Sequence, residues 1–304
     1  MSILSKISFI RRIMIGEALI DSHNKDSAIQ VLLDDQKAES IFKKHFEDLA
    51  KTLEFDPHIL STRRTKIREY VTNHFQGKTI EEILSQTKSK FRNTDNFNEI
   101  EPKITPPIFI DYIDPGCLQA ANCDLTLGED VYVTTEKIPR KLNTMGQDGV
   151  VSIEPGEFGI LMTYEYLYVP PDLMGFISVR LTHKQKGLVN ISGFHVDPGF
   201  YGRLMFAVFN AGPNDVPLRY KERVFMIMLN ELDTKSNAIT RLQRGTWHGM
   251  ENIPIGTLSG LRGTSVSVRN LDERIKKLEM VFPVVVGGVV SVVIAVITWI
   301  LTHW

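Results

Sequence analysis

The sequence predicts an α+β multidomain chain: an N-terminal helical domain, an all-β domain, a short coiled-coil seam and a C-terminal transmembrane helix. Three observations carry this. Apolar residues recur every three or four positions through the first hundred residues; short β-branched runs bounded by turn residues then take over; and near the C-terminus 22 residues, Val281 to Thr302, carry no charge. The boundaries this sets are 1–100 for the helices, 101–245 for the β domain, 246–280 for linker and seam, and 281–302 for the membrane helix.

In the helical part, AIQVLLDDQKAESIFKKHFEDLAKTLEF places Ile29, Leu32, Leu33, Ile41, Phe42, Phe46, Leu49 and Leu53 on one side, and TIEEILSQTKSKF repeats the pattern after Gly77. No functional site is read from these helices, and their protein partner is unknown. The opening MSILSKISFIRRIMIGEALI is not a secretory signal, because Arg11 and Arg12 interrupt its apolar stretch. It reads as an amphipathic helix, with contact of Lys6, Arg11 and Arg12 with a membrane surface as the weaker alternative.

Pro102, Pro106 and Pro107 end the helical periodicity and mark a linker. The strands follow: DLTLGEDVYV, FGILMTYEYLYV, FISVRL, GLVNISGFHV, RLMFAVFN and RVFMIMLNEL, punctuated by EPGE, PPDLMG, DPGFYG, NAGPND and YKER. Closely spaced strands without intervening helices predict a sandwich or barrel-like domain.

The uncharged C-terminal run is about 33 Å long as a helix, close to the ~30 Å of a bilayer's hydrocarbon core. Arg274, Lys276 and Lys277 precede it and only His303 and Trp304 follow, so the charge bias predicts a tail anchor with the body in the cytoplasm, and the minimal external tail suits the bacterial inner membrane. Val268, Leu271, Ile275, Leu278 and Phe282 form a two-heptad seam, with Arg274 and Glu279 placed to pair between neighbouring helices. Gly287, Ser291 and Ala295 add a small-residue face, and Pro283 is expected to bend the junction.

Composition narrows the function. With 35 Lys+Arg against 36 Asp+Glu the formal charge is −1, so no basic excess points to nucleic acid. Cys117 and Cys123 make neither a disulfide framework nor a zinc quartet, which suits a reducing compartment. The PCxxC element that a zinc deaminase needs beside its HxE, a GxxxxGK(S/T) loop and a GxSxG elbow are all missing.

The segments CDLTLGEDVYV, SIEPGEFGILMTYEYLYVPPDLMGFISVR, GLVNISGFHVDPGFYGRLMFAVFNAG and PLRYKERVFMIML resemble, in that order, the dCTP deaminase/dUTPase family over about residues 115–232. The resemblance implies a distorted jelly-roll β fold, a homotrimer, and deoxynucleoside triphosphate sites between subunits that take Mg²⁺ with the triphosphate and use no zinc. It places Arg180, Thr182, Asp197 and Phe200 in nucleotide binding: Arg180 toward phosphate, Asp197 toward the sugar 3′-hydroxyl, Phe200 against deoxyribose, and the backbone of Val189 to Val196 on the base. Asp197 is the catalytic candidate, because in dUTPases its counterpart also orients the attacking water. Two departures weigh against deamination. Leu181 stands where the family's helping serine is expected and Gln185 where its second arginine is, while Ala207 replaces the glutamate that moves the proton. His183 and His195 are candidates to replace that base. No glycine-rich, arginine-containing closing tail is read in residues 245–263. The resulting expectation is a membrane-anchored, catalytically degenerate nucleotide sensor or scaffold. An active dCTP deaminase or dUTP pyrophosphatase, and a purely structural oligomerisation module, are the alternatives.

Overall fold

The computed structural model describes residues 2–56, 58–136, 138–142, 149–233, 250–254 and 268–303. The first helix, α1 (Lys6–Ile20), begins where the Ser5 hydroxyl accepts from the Ser8 backbone N–H. Phe9, Ile10, Ile13, Met14 and Ile15 are all buried, so the helix is enclosed on most sides rather than amphipathic. Its cations are committed within the fold: Lys6 pairs with Glu39, Arg11 with Asp35, and buried Arg12 donates to Asp172 at 2.7 Å and to the Pro106 carbonyl at 3.0 Å.

The long apolar pattern of residues 28–55 is divided in two. Asp34 caps α3 (Asp35–Phe55) by accepting from the backbone of Gln36 and Lys37, which ends α2 (Lys25–Leu33) one residue earlier. Next, α4 (His58–Tyr70) runs into a π-turn over Val71–Phe75, and α5 (Ile80–Phe91) opens with a capping box between Thr79 and Glu82. The short α6 (Phe97–Ile100) leads into the proline stretch. That stretch is extended but buried: Ile104, Pro106, Pro107 and Ile108 are enclosed, and the Ile108 N–H donates to the Arg12 carbonyl at 3.1 Å.

Eleven strands follow among the described residues: β1 (Phe109–Ile110), β2 (Cys123–Val133), β3 (Arg140–Lys141), β4 (Val150–Ile153), β5 (Phe158–Tyr168), β6 (Leu173–Val179), β7 (Leu188–Asn190), β8 (His195–Val196), β9 (Tyr201–Asn210), β10 (Val216–Arg219) and β11 (Arg223–Glu231). The four-residue helix α7 (Leu181–Lys184) lies between β6 and β7. The main sheet is antiparallel with order β7-β9-β5-β2-β11-β6-β8; β1 pairs with β5 and β3 with β2, and β4–β10 form a separate ribbon. Its two end strands, β7 and β8, are joined by residues 191–194 alone. Four residues reach at most about 14 Å. The sheet must therefore curl until its ends nearly meet, and the backbone bonds from Ile191 N to the Ala207 carbonyl and from Ile177 N to the Phe194 carbonyl bridge them. The expected single run GLVNISGFHV is thus two short strands, one on β9 and one on β6.

Strand β5 is buried along almost its whole length, because the other elements cover both of its faces. The apolar core runs unbroken from Phe9, Ile13 and Phe46 in the helices to Phe206 and Phe225 in the sheet, whose rings stack at 4.0 Å. Ion pairs line this seam. Glu17 receives Arg63 at 2.7 Å and His45 at 2.9 Å, while Asp111 receives Arg64 at 2.6 Å and the backbone N–H groups of Tyr112 and Tyr166.

Arg203 is 1% exposed and reaches the Thr163 carbonyl, Asp130, Glu129 and the Glu251 carbonyl. A Cβ on Gly128 would stand 2.0 Å from its guanidinium, so glycine is needed there. The strap 250–254 crosses this point. Met250 bridges Gly202, the Arg203 N–H donates to the Met250 carbonyl at 2.9 Å, the Glu251 carboxylate pairs with Arg68 of α4 at 2.7 Å, and Ile253 is buried.

Helix α8 (Val268–His303) is a single 36-residue helix that continues through Pro283, where a bend was expected at the start of the apolar run. Within Arg274–Thr302 an 18-residue run has a mean hydropathy of 2.8, and the stretch is long and apolar enough to cross a membrane. Hydroxyls inside it are satisfied locally: Ser291 donates to the Gly287 carbonyl and Thr298 to that of Ile294. Leu271, Ile275, Leu278 and Phe282 are exposed on it; the side chain of Val268 lies outside the described residues, as do residues 245–249 and 255–263 of the expected tail.

Candidate functional site

The predicted site residues fall along the sheet edge formed by the end of β6, α7, the β7–β8 segment and the turn into β9. Arg180 is the N-cap of α7 and is held on both sides: its backbone N–H donates to the Val224 carbonyl, Nη1 donates to the Arg223 carbonyl at 3.1 Å, and Nε lies 3.1 Å from Asp124 Oδ2. The contact with Asp124 is ionic, without good hydrogen-bond alignment, since that oxygen has no hydrogen-bond partner among the described residues. Burial pushes the Asp124 carboxyl above its ordinary value, and Arg180 and Arg223 oppose the rise. The carboxylate facing Arg180 is therefore supplied within the chain, by a residue of β2 that the sequence pattern did not single out.

Thr182 and Gln185 are exposed, and Leu181, at the expected serine position, is 67% exposed. Val189, Ile191 and Phe194 of the β7–β8 segment are exposed as well, and Phe194 stacks on Phe176 at 6.0 Å. The edge presents apolar side chains to solvent in the single chain.

The DPG motif forms a turn in which the Phe200 N–H donates to the Asp197 carbonyl at 3.1 Å and Gly199 has φ 77°. That geometry turns the exposed Asp197 carboxylate outward, 3.5 Å from His195 Nε2. Phe200 follows it and is buried in the core at 9% exposure. The two candidate histidines part company here. His195 is accessible beside Asp197, whereas His183 is 3% exposed, with Nε2 3.2 Å from the Arg223 carbonyl and Nδ1 buried without a partner among the described residues. Burial lowers the His183 pKa. Ala207, in the middle of β9, meets the β7–β8 segment through its carbonyl, which accepts from Ile191 at 2.9 Å and Ser192 at 3.2 Å. No Asp or Glu occurs anywhere from Tyr201 to Asn210.

Among the described residues no group of three His, Cys, Asp or Glu side chains has the geometry to hold a metal ion. Both cysteines are buried and free, and burial pushes the Cys117 thiol up to about 12.

Helices packed against a strongly curled antiparallel sheet, with a short helical turn and the β7–β8 segment at its edge, define an α+β protein built around one β domain. The chain belongs to the dCTP deaminase-like family. The family model matches residues 98–232, and the chain is 31% identical over 157 residues to the dCTP deaminase of Pyrococcus abyssi, covering 52% of this chain and 96% of that one. It is 30% identical over 153 residues to the dCTP deaminase of Thermococcus kodakarensis, covering 50% and 93%. Among solved structures, the 2′-deoxycytidine 5′-triphosphate deaminase of Agrobacterium tumefaciens aligns with TM-score 0.32 at 16% identity, over 38% of this chain and 41% of that one. A dUTPase of phage phi11 of S. aureus, whose structure details the coordination of a structural Mg(II) ion, aligns with TM-score 0.26 at 14% identity, over 34% and 92%.

Proposed function

We propose that this chain is a membrane-tethered member of the family that binds a deoxynucleoside triphosphate of the dCTP or dUTP type and has lost the family's route of deamination. The observation that carries the reading is Ala207: an alanine stands on β9 where its carbonyl accepts from Ile191 and Ser192, and β9 offers no carboxylate in its place. Removing a general acid–base group lowers a rate by about 10²–10⁴, and here Leu181 also stands at the helping serine. Binding requires less. The exposed Asp197 carboxylate meets the sugar 3′-hydroxyl, Arg180 and Thr182 meet phosphate, Phe200 backs the turn, and Mg²⁺ arrives on the triphosphate.

The exposed Leu181, Val189, Ile191 and Phe194 support a homotrimer, since a neighbouring subunit would cover them. The hydropathy of α8 and its flanking cations support a single C-terminal span in the bacterial inner membrane, with the body in the cytoplasm. Occupancy of the site then passes through the seam at Leu271, Ile275, Leu278 and Phe282 to the membrane helices.

A second reading, an active deaminase, is favoured by the 31% identity along 96% of the Pyrococcus abyssi enzyme. In it, His195 beside Asp197 serves as the base. The full chain in detergent, incubated with dCTP or dUTP and Mg²⁺, separates the two. The expected result is turnover at least about 10²-fold below that of the archaeal enzyme run alongside, with a rise in melting temperature on adding nucleotide that Asp197→Ala abolishes. Turnover comparable to the archaeal enzyme establishes the second reading. The absence of any nucleotide-induced shift removes the sensor.

A further inference from the structure

A cavity of about 620 Å³ lies between the helices and the sheet; no residue of α7, β7 or β8 lines it, and the nucleotide reading above makes no use of it. Its volume falls in the range of small-molecule sites, ~300–1,000 Å³. Three tyrosines from separate parts of the chain line it. Tyr164 of β5 stands edge-on to Tyr220 at 5.8 Å and to Tyr112 at 6.2 Å, so the rings brace one another at nearly right angles.

Two cations enter the same space. Lys221 Nζ lies 4.6 Å from the Tyr164 ring centre and 5.6 Å from that of Tyr220, with no carboxylate within 4.0 Å among the described residues. Arg64 is fixed through Nε on Asp111 and Nη2 on the Tyr164 carbonyl, which leaves Nη1 as its remaining donor group. Glu129, itself held by Arg203, and Glu54 of α3 line the cavity as acceptors, and Ala50, Leu53 and Leu60 add an aliphatic wall.

The backbone supplies an independent observation. Lys221 is the third residue of the turn Arg219–Glu222, closed by a 2.9 Å bond from the Glu222 N–H to the Arg219 carbonyl, and its φ is 60°. It is the one residue other than glycine with positive φ among the described residues, at a turn position where glycine sits without strain. A lysine held in a left-handed conformation with its ammonium among tyrosine rings points to a use for that ammonium, since strained residues concentrate at ligand sites.

We infer that this cavity is a second ligand site, built for a nucleoside monophosphate. The flat base stacks on the tyrosines, the phosphate takes Lys221 and the free Arg64 donors, and Glu54 and Glu129 accept from base amino or ribose hydroxyl groups. The two parts of the ligand are matched by two parts of the lining. A purely apolar guest leaves the charges unused, and a bare phosphate leaves the rings unused.

The test titrates the full chain in detergent with AMP, GMP, CMP and UMP, and with adenosine and inorganic phosphate as separate arms, by calorimetry. At least one monophosphate should bind, and more tightly than inorganic phosphate; adenosine should bind more weakly than AMP wherever AMP is the ligand. Lys221→Gly should weaken that binding at least 10-fold while leaving the melting temperature equal or higher, because glycine relieves the turn. The dCTP-induced shift should survive Lys221→Gly, and the monophosphate binding should survive Asp197→Ala, which keeps this site's failure distinct from that of the sheet-edge site. The inference is overturned if no monophosphate binds at millimolar concentration, if inorganic phosphate binds as well as the best monophosphate, or if Lys221→Gly binds as well as the parent. Loss of both signals in either variant also overturns it, because the two sites would then be one.

Discussion

The helix–sheet seam and the edge carrying α7 and the β7–β8 segment handle their side chains in opposite ways. At the seam, Arg12, Glu17, Asp111 and Arg203 are charged and almost fully enclosed, each with oppositely charged partners. At the edge, Leu181, Val189, Ile191 and Phe194 are apolar and exposed. Enclosed ion pairs tolerate little misalignment, so the seam specifies one way of docking the helices on the sheet. Exposed apolar side chains specify nothing until another surface covers them. The first region is finished within one chain; the second is the natural place for a neighbour or a ligand.

The largest effect expected from breaking this contrast is at Asp111. Asp111→Ala leaves the Arg64 guanidinium and two backbone N–H groups without their acceptor, and should cost about 3–5 kcal/mol in urea unfolding. A loss below ~1 kcal/mol would mean that the seam is no better specified than the edge.

Acidity sharpens the picture next. Burial pushes Glu165 up to about 7 from an ordinary 4.5, although Thr126 donates to it from both its backbone N–H and its hydroxyl. A raised acid holds its proton in the fold after the unfolded chain has lost it. Stability from this group is therefore full below pH 4.5 and declines as pH rises from 4.5 to about 7, by up to ~3 kcal/mol. Glu17 is shifted the other way: burial works to raise it, but Arg63 and His45 hold it below the usual range, so its contribution is lost only on acidification below 4.5. Unfolding measured at pH 5 and pH 8 should show a fall in the parent that Glu165→Gln flattens; parallel slopes would exclude Glu165 as the source.

A smaller, local effect is expected at the capping box. Thr79→Ala removes the acceptor for the Glu82 N–H at the start of α5 and should cost about 1 kcal/mol, read as a modest drop in melting temperature. Smallest is Asp197→Asn at the edge: within about 0.5 kcal/mol of the parent in stability, as for an exposed residue, while the dCTP-induced shift is lost.

The elements themselves were legible because their signals are local. The DPG and EPGE turns form where expected, with Gly199 and Gly156 at positive φ, and β2, β5, β9 and β11 lie within two residues of the runs read for them. The split of residues 28–55 at Asp34 was carried by one capping side chain inside a strong apolar period. What stayed hidden is long-range. Arg12 meets Asp172 across 160 residues, and nothing in either neighbourhood announces the pair. At the candidate site, Arg180 and Asp197 could be marked by their motifs, but the Asp124 that faces Arg180 and the cavity between Tyr164 and α3 depend on how the sheet curls and where the helices land.

The strap at 250–254 has a mechanical consequence. The chain between the β body and α8 passes through it, so a pull on α8 loads Met250 and Glu251 before it can reach the end of β11. Tension therefore arrives as shear across Gly202 and Arg68, gripping the sheet and α4 together, and the fold is held at its middle rather than by its last strand.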